Sequence, residues 1–158
     1  MTPQLEHQII QFLGDTEKTV ATAESCSGGL IAHRLTNVPG ASAPFVGGIV
    51  AYRNEVKMDL LAVPEDTLQL YGAVSQQTAL AMAEGARAQF GSDFAVAVTG
   101  IAGPGGGTDE KPVGLVYMAV ARTSATEVAR HEFEGDRESI KQQISEAALA
   151  LLWENMNK

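Results

Sequence analysis

Hydrophobic positions along the chain fall into alternating helical and strand-like stretches. Leu5, Ile9, Phe12 and Leu13 share one face of a first helix, with Thr2-Pro3 as its start signal and Gly14 as its end. Lys18 to Ala23, short and rich in Val and Thr, reads as a buried strand. It runs into Glu24-Ser25-Cys26-Ser27-Gly28-Gly29, after which Leu30 to Leu35 reads as a helix that stops before Pro39-Gly40. Phe45 to Tyr52 is a second strand, loosened by Gly47-Gly48, and Asn54 is placed to cap a short helix through Leu61. Pro64 begins another helix. Ala79, Met82, Ala83, Ala86 and Phe90 mark an amphipathic helix from Ser75 to Gly91. Phe94 to Val98 is an apolar strand, and Val113 to Ala121 and Glu127 to Phe133 are two further strands joined by a polar turn. Asp136 caps a last helix whose Ile140, Ile144, Ala147, Leu151 and Leu152 face a core.

Helices at both ends of about five strands predict a layered α/β domain with a mixed sheet. No repeat, charge block or long linker divides it, so residues 1–158 read as one domain. Composition agrees with a globular core: 45% of residues are hydrophobic and 19% charged, which excludes an intrinsically disordered chain. No apolar run reaches the roughly 20 residues that cross a bilayer. The first residues have neither the basic start nor the apolar stretch of a secretion signal, which points to a cytoplasmic protein without membrane partners.

Charge narrows the partners. Eleven Lys and Arg stand against nineteen Asp and Glu, a net charge of -8 that argues against nucleic acid as a partner. One or two cations still suffice to hold a small phosphate. A single cysteine, Cys26, excludes an internal disulfide, and His7, His33 and His131 lack metal-ligand spacing.

Candidate chemistry concentrates in the turn after the first strand. Small residues and Gly28-Gly29 leave backbone amides unobstructed where a helix opens, a place suited to a substrate phosphate or to the oxyanion of an attacked carbonyl. Ser25 sits just ahead of that turn as a possible nucleophile. The simpler reading, that Ser25 or Ser27 only caps the helix, is the one spacing alone favours. A serine needs a base, and no histidine is well placed. Lys57, in the first turn of the helix after Asn54, is near a positive dipole end that lowers its pKa, while neighbouring Glu55 opposes that effect. Tyr52 is available to hydrogen-bond to the serine or lysine, or to pack at its strand end.

Thr99-Gly100-Ile101-Ala102-Gly103-Pro104-Gly105-Gly106-Gly107 matches neither the nucleoside-triphosphate loop nor the dinucleotide fingerprint. Gly100 to Pro104 is a candidate pocket wall and Gly105 to Glu110 a hairpin loop. Arg137, just inside the last helix, is placed either to bind a phosphate or to pair with Glu134 or Glu138. Cys26, beside the serine, is either an activated thiol or a small packing residue.

Six segments in order carry a family resemblance: Ala23-Glu24-Ser25-Cys26-Ser27-Gly28-Gly29, Tyr52-Arg53-Asn54-Glu55-Val56-Lys57, Gly72-Ala73-Val74-Ser75, Thr99-Gly100-Ile101-Ala102-Gly103-Pro104, Lys111-Pro112-Val113-Gly114 and Gly135-Asp136-Arg137. Together they resemble the CinA C-terminal domain family of nicotinamide-nucleotide amidases, over nearly the whole chain and in its stand-alone form. The resemblance implies a three-layer α/β/α fold, no catalytic metal or other cofactor, and self-association as a homo-oligomer. It implies hydrolysis of the carboxamide of nicotinamide mononucleotide to nicotinate mononucleotide and ammonia, within pyridine-nucleotide recycling. The family's serine falls on Ser25, its lysine on Lys57 and its tyrosine on Tyr52. Ser27, Gly28, Gly29, Thr99, Gly100, Gly103 and Arg137 are then the candidates for binding substrate. Ser27 stands where threonine is common, and Ala51 where a threonine often precedes the tyrosine. Two other readings stay open: a mononucleotide-binding module without turnover, and a serine–lysine amidase for another small amide.

Overall fold

Five strands form one mixed sheet in the order β2-β1-β3-β4-β5, seen in a computed structural model that describes residues 4–158. The chain runs α1 (Leu5–Thr16), β1 (Val20–Glu24), α2 (Leu30–Thr36), β2 (Phe45–Val50), α3 (Asn54–Leu61), α4 (Glu65–Tyr71), α5 (Gln76–Phe90), β3 (Phe94–Gly100), β4 (Leu115–Ala121), β5 (Thr126–Glu132) and α6 (Arg137–Met156). β1 pairs in parallel with β2 and β3, and β4 is antiparallel to both β3 and β5.

Strand alternation sorts the core by size. Val96, Val98, Val116, Met118 and Val120 point to one face, where Ile9 and Leu13 of α1, Ile31 and Leu35 of α2, and Ile140 and Ile144 of α6 cover them. Ala21, Ala23, Ala95, Ala97, Ala119 and Ala121 point to the other face and pack against Leu61, Ala79, Met82, Ala83 and Ala86. Methyl-sized side chains let α5 lie close to the sheet. Gly85 continues that economy outward, since a Cβ there would overlap the carbonyl oxygen of Leu61 at the end of α3. The expected layers, helices on both faces of a five-stranded sheet, are present.

Several local expectations need correction. Gly14 does not end α1. The helix runs on to Thr16 and closes at Glu17, which takes the left-handed conformation (φ 56°) while Glu17 N–H donates to Gly14 O and Lys18 N–H to Leu13 O. The Thr2-Pro3 start lies outside the described residues. Asn54 is the first residue of α3 rather than its cap, and neither it nor Arg53 gives the helix a side-chain cap. No serine caps α2 either: its N-cap is Gly29, at φ 103°. By contrast Ser75 accepts from Thr78 N–H, Asp136 from Ser139 N–H, and Gly91 closes α5 in the left-handed region.

Candidate functional site

The three parallel strands end along one edge of the sheet, where ligands of open α/β sheets are commonly bound. Glu24 is level with both Val50 and Val98. One residue further on, Ser25 N–H donates to Val98 O and Ala51 N–H to Glu24 O, so the ladder holds the loops after β1, β2 and β3 side by side. Ser25 leaves β1 there. Lys57, on α3, turns back beneath the same edge.

The two side chains meet. Lys57 Nζ lies 3.1 Å from Ser25 Oγ, 2.8 Å from the Ala51 carbonyl oxygen and 3.1 Å from that of Tyr52. Lys57 is 1% exposed and Ser25 8% exposed. Burial pushes the Lys57 pKa below its ordinary value of 10.5, against a smaller upward pull from Cys26. No carboxylate pairs with the lysine among the described residues, and exposed Glu55 does not hold it charged. A neutral amine has two N–H groups and one lone pair. In the charged form Nζ donates to Ser25 Oγ and to both carbonyls; in the neutral form the carbonyls take the two N–H groups, which leaves the lone pair for the serine hydroxyl. This is the arrangement of a general base on a nucleophile.

A residue to which sequence reasoning gave no role organises the turn. Glu24 is 1% exposed; its Oε1 accepts from the Ser27 hydroxyl at 2.7 Å and from Ile31 N–H at 2.9 Å, and its Oε2 accepts from Ala32 N–H at 3.0 Å. The start of α2 therefore already has its anion, and the expectation that its amides face a ligand is corrected. Gly28 N–H is also taken, by Ser25 O at 3.1 Å. Among the described residues, the amides of Ser27 and Gly29 donate to no protein acceptor. The signal for Glu24 in the sequence was its position: a carboxylate closing a buried strand, three residues before a serine.

Other candidates separate into contacts of different kinds. The Tyr52 phenol does not reach Ser25 or Lys57; only its backbone carbonyl does. Its hydroxyl instead accepts from Arg137 Nη2 at 2.9 Å, while Arg137 Nη1 donates to Gly103 O at 2.7 Å. Arg137 forms no ion pair with Glu134 or Glu138 and ties the loop after β3 to the loop after β2. Thr99 is buried, and its hydroxyl donates to Ala73 O at 2.8 Å, joining two of the quoted segments. Gly100 owes its small size to the sheet, since a Cβ would stand 2.7 Å from Leu115 O. Gly103 combines φ 80° with Val113 packed against it. Gly105 to Glu110 is exposed. Burial pushes the Cys26 thiol up to about 12, so it is a packing residue and not an activated nucleophile.

Beside the turn after Ser25 lies a cleft of about 600 Å³ walled by Ser27, Gly28 and Gly29 on one side and Arg137 and Lys141 on the other. Among the described residues no group of three or more His, Cys, Asp or Glu is placed to hold a metal, and no helix is long and apolar enough to cross a membrane.

Known proteins repeat this architecture. A solved competence/damage inducible protein from Agrobacterium tumefaciens superposes with a TM-score of 0.92 at 45% identity, covering 98% of this chain and 94% of that one. A competence damage-inducible protein A from Klebsiella pneumoniae gives 0.94 at 35% identity, covering 98% and 96%. A CinA-like protein of Geotalea uraniireducens is 56% identical over 133 residues, which are 84% of this chain and 32% of that protein. One from Leptospira borgpetersenii is 44% identical over 99% of this chain and 38% of its own length. The chain thus spans about a third of the length of the curated relatives it matches. The family model of the CinA C-terminal domain matches residues 2–156, and with these likenesses it places the chain in the CinA C-terminal domain family.

Proposed function

We propose that this chain, as one amidase domain, hydrolyses the carboxamide of nicotinamide mononucleotide to nicotinate mononucleotide and ammonia. The observation that carries the reading is the buried 3.1 Å approach of Lys57 Nζ to Ser25 Oγ with no carboxylate on the amine. Ser25 Oγ attacks the carboxamide carbon as its proton passes to Lys57. The oxyanion so formed is stabilised by the unpaired amide of Ser27. Lys57, now an ammonium, returns the proton to the leaving nitrogen, and ammonia departs from an acyl ester on Ser25. Water then attacks that ester with Lys57 again as base, which frees the carboxylate product and the serine. Arg137 and Tyr52 hold the loops that flank the pocket, and Gly103 anchors Arg137 through its carbonyl. Self-association and a cytoplasmic setting within pyridine-nucleotide recycling belong to the same reading.

Incubation of the purified protein with nicotinamide mononucleotide and measurement of ammonia tests it. Wild type releases ammonia, while Ser25→Ala and Lys57→Met each lower release by at least about 1,000-fold with an unchanged circular dichroism spectrum. Full activity in either variant overturns the assigned pair. Ammonia from another small amide, with none from the mononucleotide, keeps the dyad and replaces the substrate.

A further inference from the structure

We propose that the cleft between the Ser27–Gly29 turn and the start of α6 is the subsite for the phosphomonoester of a mononucleotide, with Lys141 as its principal cation. The proposal rests on the reading above for its substrate, but not for its site. Lys141 was not among the sequence candidates. It is half-buried, and its Nζ stands 3.3 Å from where a Cβ on Gly28 would be. Among the described residues it makes no hydrogen bond or ion pair. Its charge is therefore not matched by any protein carboxylate and is available to an anion in the cleft.

The surroundings suit that anion. Arg137 lies one helical turn before Lys141 on the same face of α6 and brings a second cation, positioned by its bonds to Gly103 O and the Tyr52 hydroxyl. Opposite them, Gly28 (φ 63°) and Gly29 (φ 103°) adopt backbone conformations that favour glycine and leave that wall bare of side chains. With the Ser27 amide assigned to the oxyanion, the turn keeps one further amide without a protein acceptor, that of Gly29, whereas the first amides of α2 are spent on Glu24. Cations from α6 must therefore supply the attraction. Glu138 and His33 also line the cleft; the two cations outnumber its single carboxylate. Ser27 is two residues from Ser25, so a phosphate here and a carbonyl at the nucleophile fit within one small substrate.

The test compares Lys141→Gln and Lys141→Arg with wild type, using nicotinamide mononucleotide, its dephosphorylated riboside, and calorimetric titration of ribose 5-phosphate and inorganic phosphate. Lys141→Gln is expected to raise KM for the mononucleotide by about 10- to 100-fold and to weaken ribose 5-phosphate binding equally, with the riboside's KM changed less than about twofold. Lys141→Arg restores most of the loss. Unchanged mononucleotide KM and ribose 5-phosphate affinity in Lys141→Gln overturn the subsite, as does an equal loss with the riboside. Inorganic phosphate binding as tightly as ribose 5-phosphate overturns the mononucleotide assignment. The calorimetry needs no turnover. Lys141-dependent ribose 5-phosphate binding without ammonia release would support the subsite while removing the amidase reading, and ammonia release with Lys141-independent affinity would do the reverse.

Discussion

In the proposed reaction a single atom of Lys57 has two demands placed on it: it must be uncharged to accept the Ser25 proton, and it must become charged once it has done so. Burial lowers its pKa, and the two carbonyls of Ala51 and Tyr52 give the ammonium something to hold when it forms. The active fraction grows as pH rises through a lysine pKa that lies below 10.5, so kcat/KM climbs along an alkaline limb with its midpoint under that value. Stability moves the same way. Between the folded and unfolded pKa the unfolded chain binds the extra proton, so unfolding free energy increases with pH across that window. Lys57→Met removes the buried charge. It should abolish turnover, leave Tm near neutral pH equal to or above that of wild type, and flatten the alkaline rise in stability, read by urea unfolding at a series of pH values. A variant that retains the rise would place the titration elsewhere.

Among the elements, α3 carries Lys57 but makes little core of its own; α5 sets its position. The contact is the close approach of Gly85 to the Leu61 carbonyl, and any side chain at residue 85 must push α3 outward. Gly85→Ala is expected to cost about 1–3 kcal/mol by overpacking. Its larger effect should fall on rate, because a displacement of the order of 1 Å between nucleophile and base costs on the order of 100-fold. Steady-state kinetics beside thermal melts separates the two effects. A loss of stability with kcat intact would show that α3 yields without moving Lys57.

For the molecule as a whole, the valine-rich face is closed by three helices, and one cluster of charges joins them. Arg34 of α2 donates to Glu6 Oε2 of α1 at 2.7 Å and to Ser145 Oγ of α6 at 3.0 Å, and pairs with Glu146 of α6 at 2.8 Å. Burial alone would raise the Glu6 carboxyl, but hydrogen bonds from Arg34 and its charge override it and hold the group below its ordinary value of 4.5. A depressed carboxylate stabilises the fold above the unfolded pKa, and that contribution is lost as pH falls through the folded one. Arg34→Met leaves Glu6 buried without its partner and should cost about 3 kcal/mol, a fall of roughly 6–12 °C in Tm. Below pH 4.5 the gap between variant and wild type should narrow, because protonated Glu6 no longer needs the arginine. Calorimetry at pH 7 and pH 3.5 checks it, and a gap that widens in acid refutes the assignment.

Much of this was legible from local pattern. The apolar strand from Phe94, the helix from Ser75, the Asp136 cap and the Gly91 stop are decided by neighbours a few residues away, and all are found where the sequence puts them. Gly14 and Asn54 misled for the same reason: glycine and asparagine permit a helix boundary, but solvation and packing choose among the permitted sites. The residue types for a nucleophile and a base were also visible in the chain, though spacing alone preferred a cap for Ser25. Their meeting was not visible. Ser25 and Lys57 are thirty-two positions apart, and Lys141, on the last helix, is still further along the chain from the Gly28 it faces. Linear order records which groups a chain carries. Whether an amine loses its proton depends on the water and charge removed from around it, and only the folding of distant segments against one another sets that.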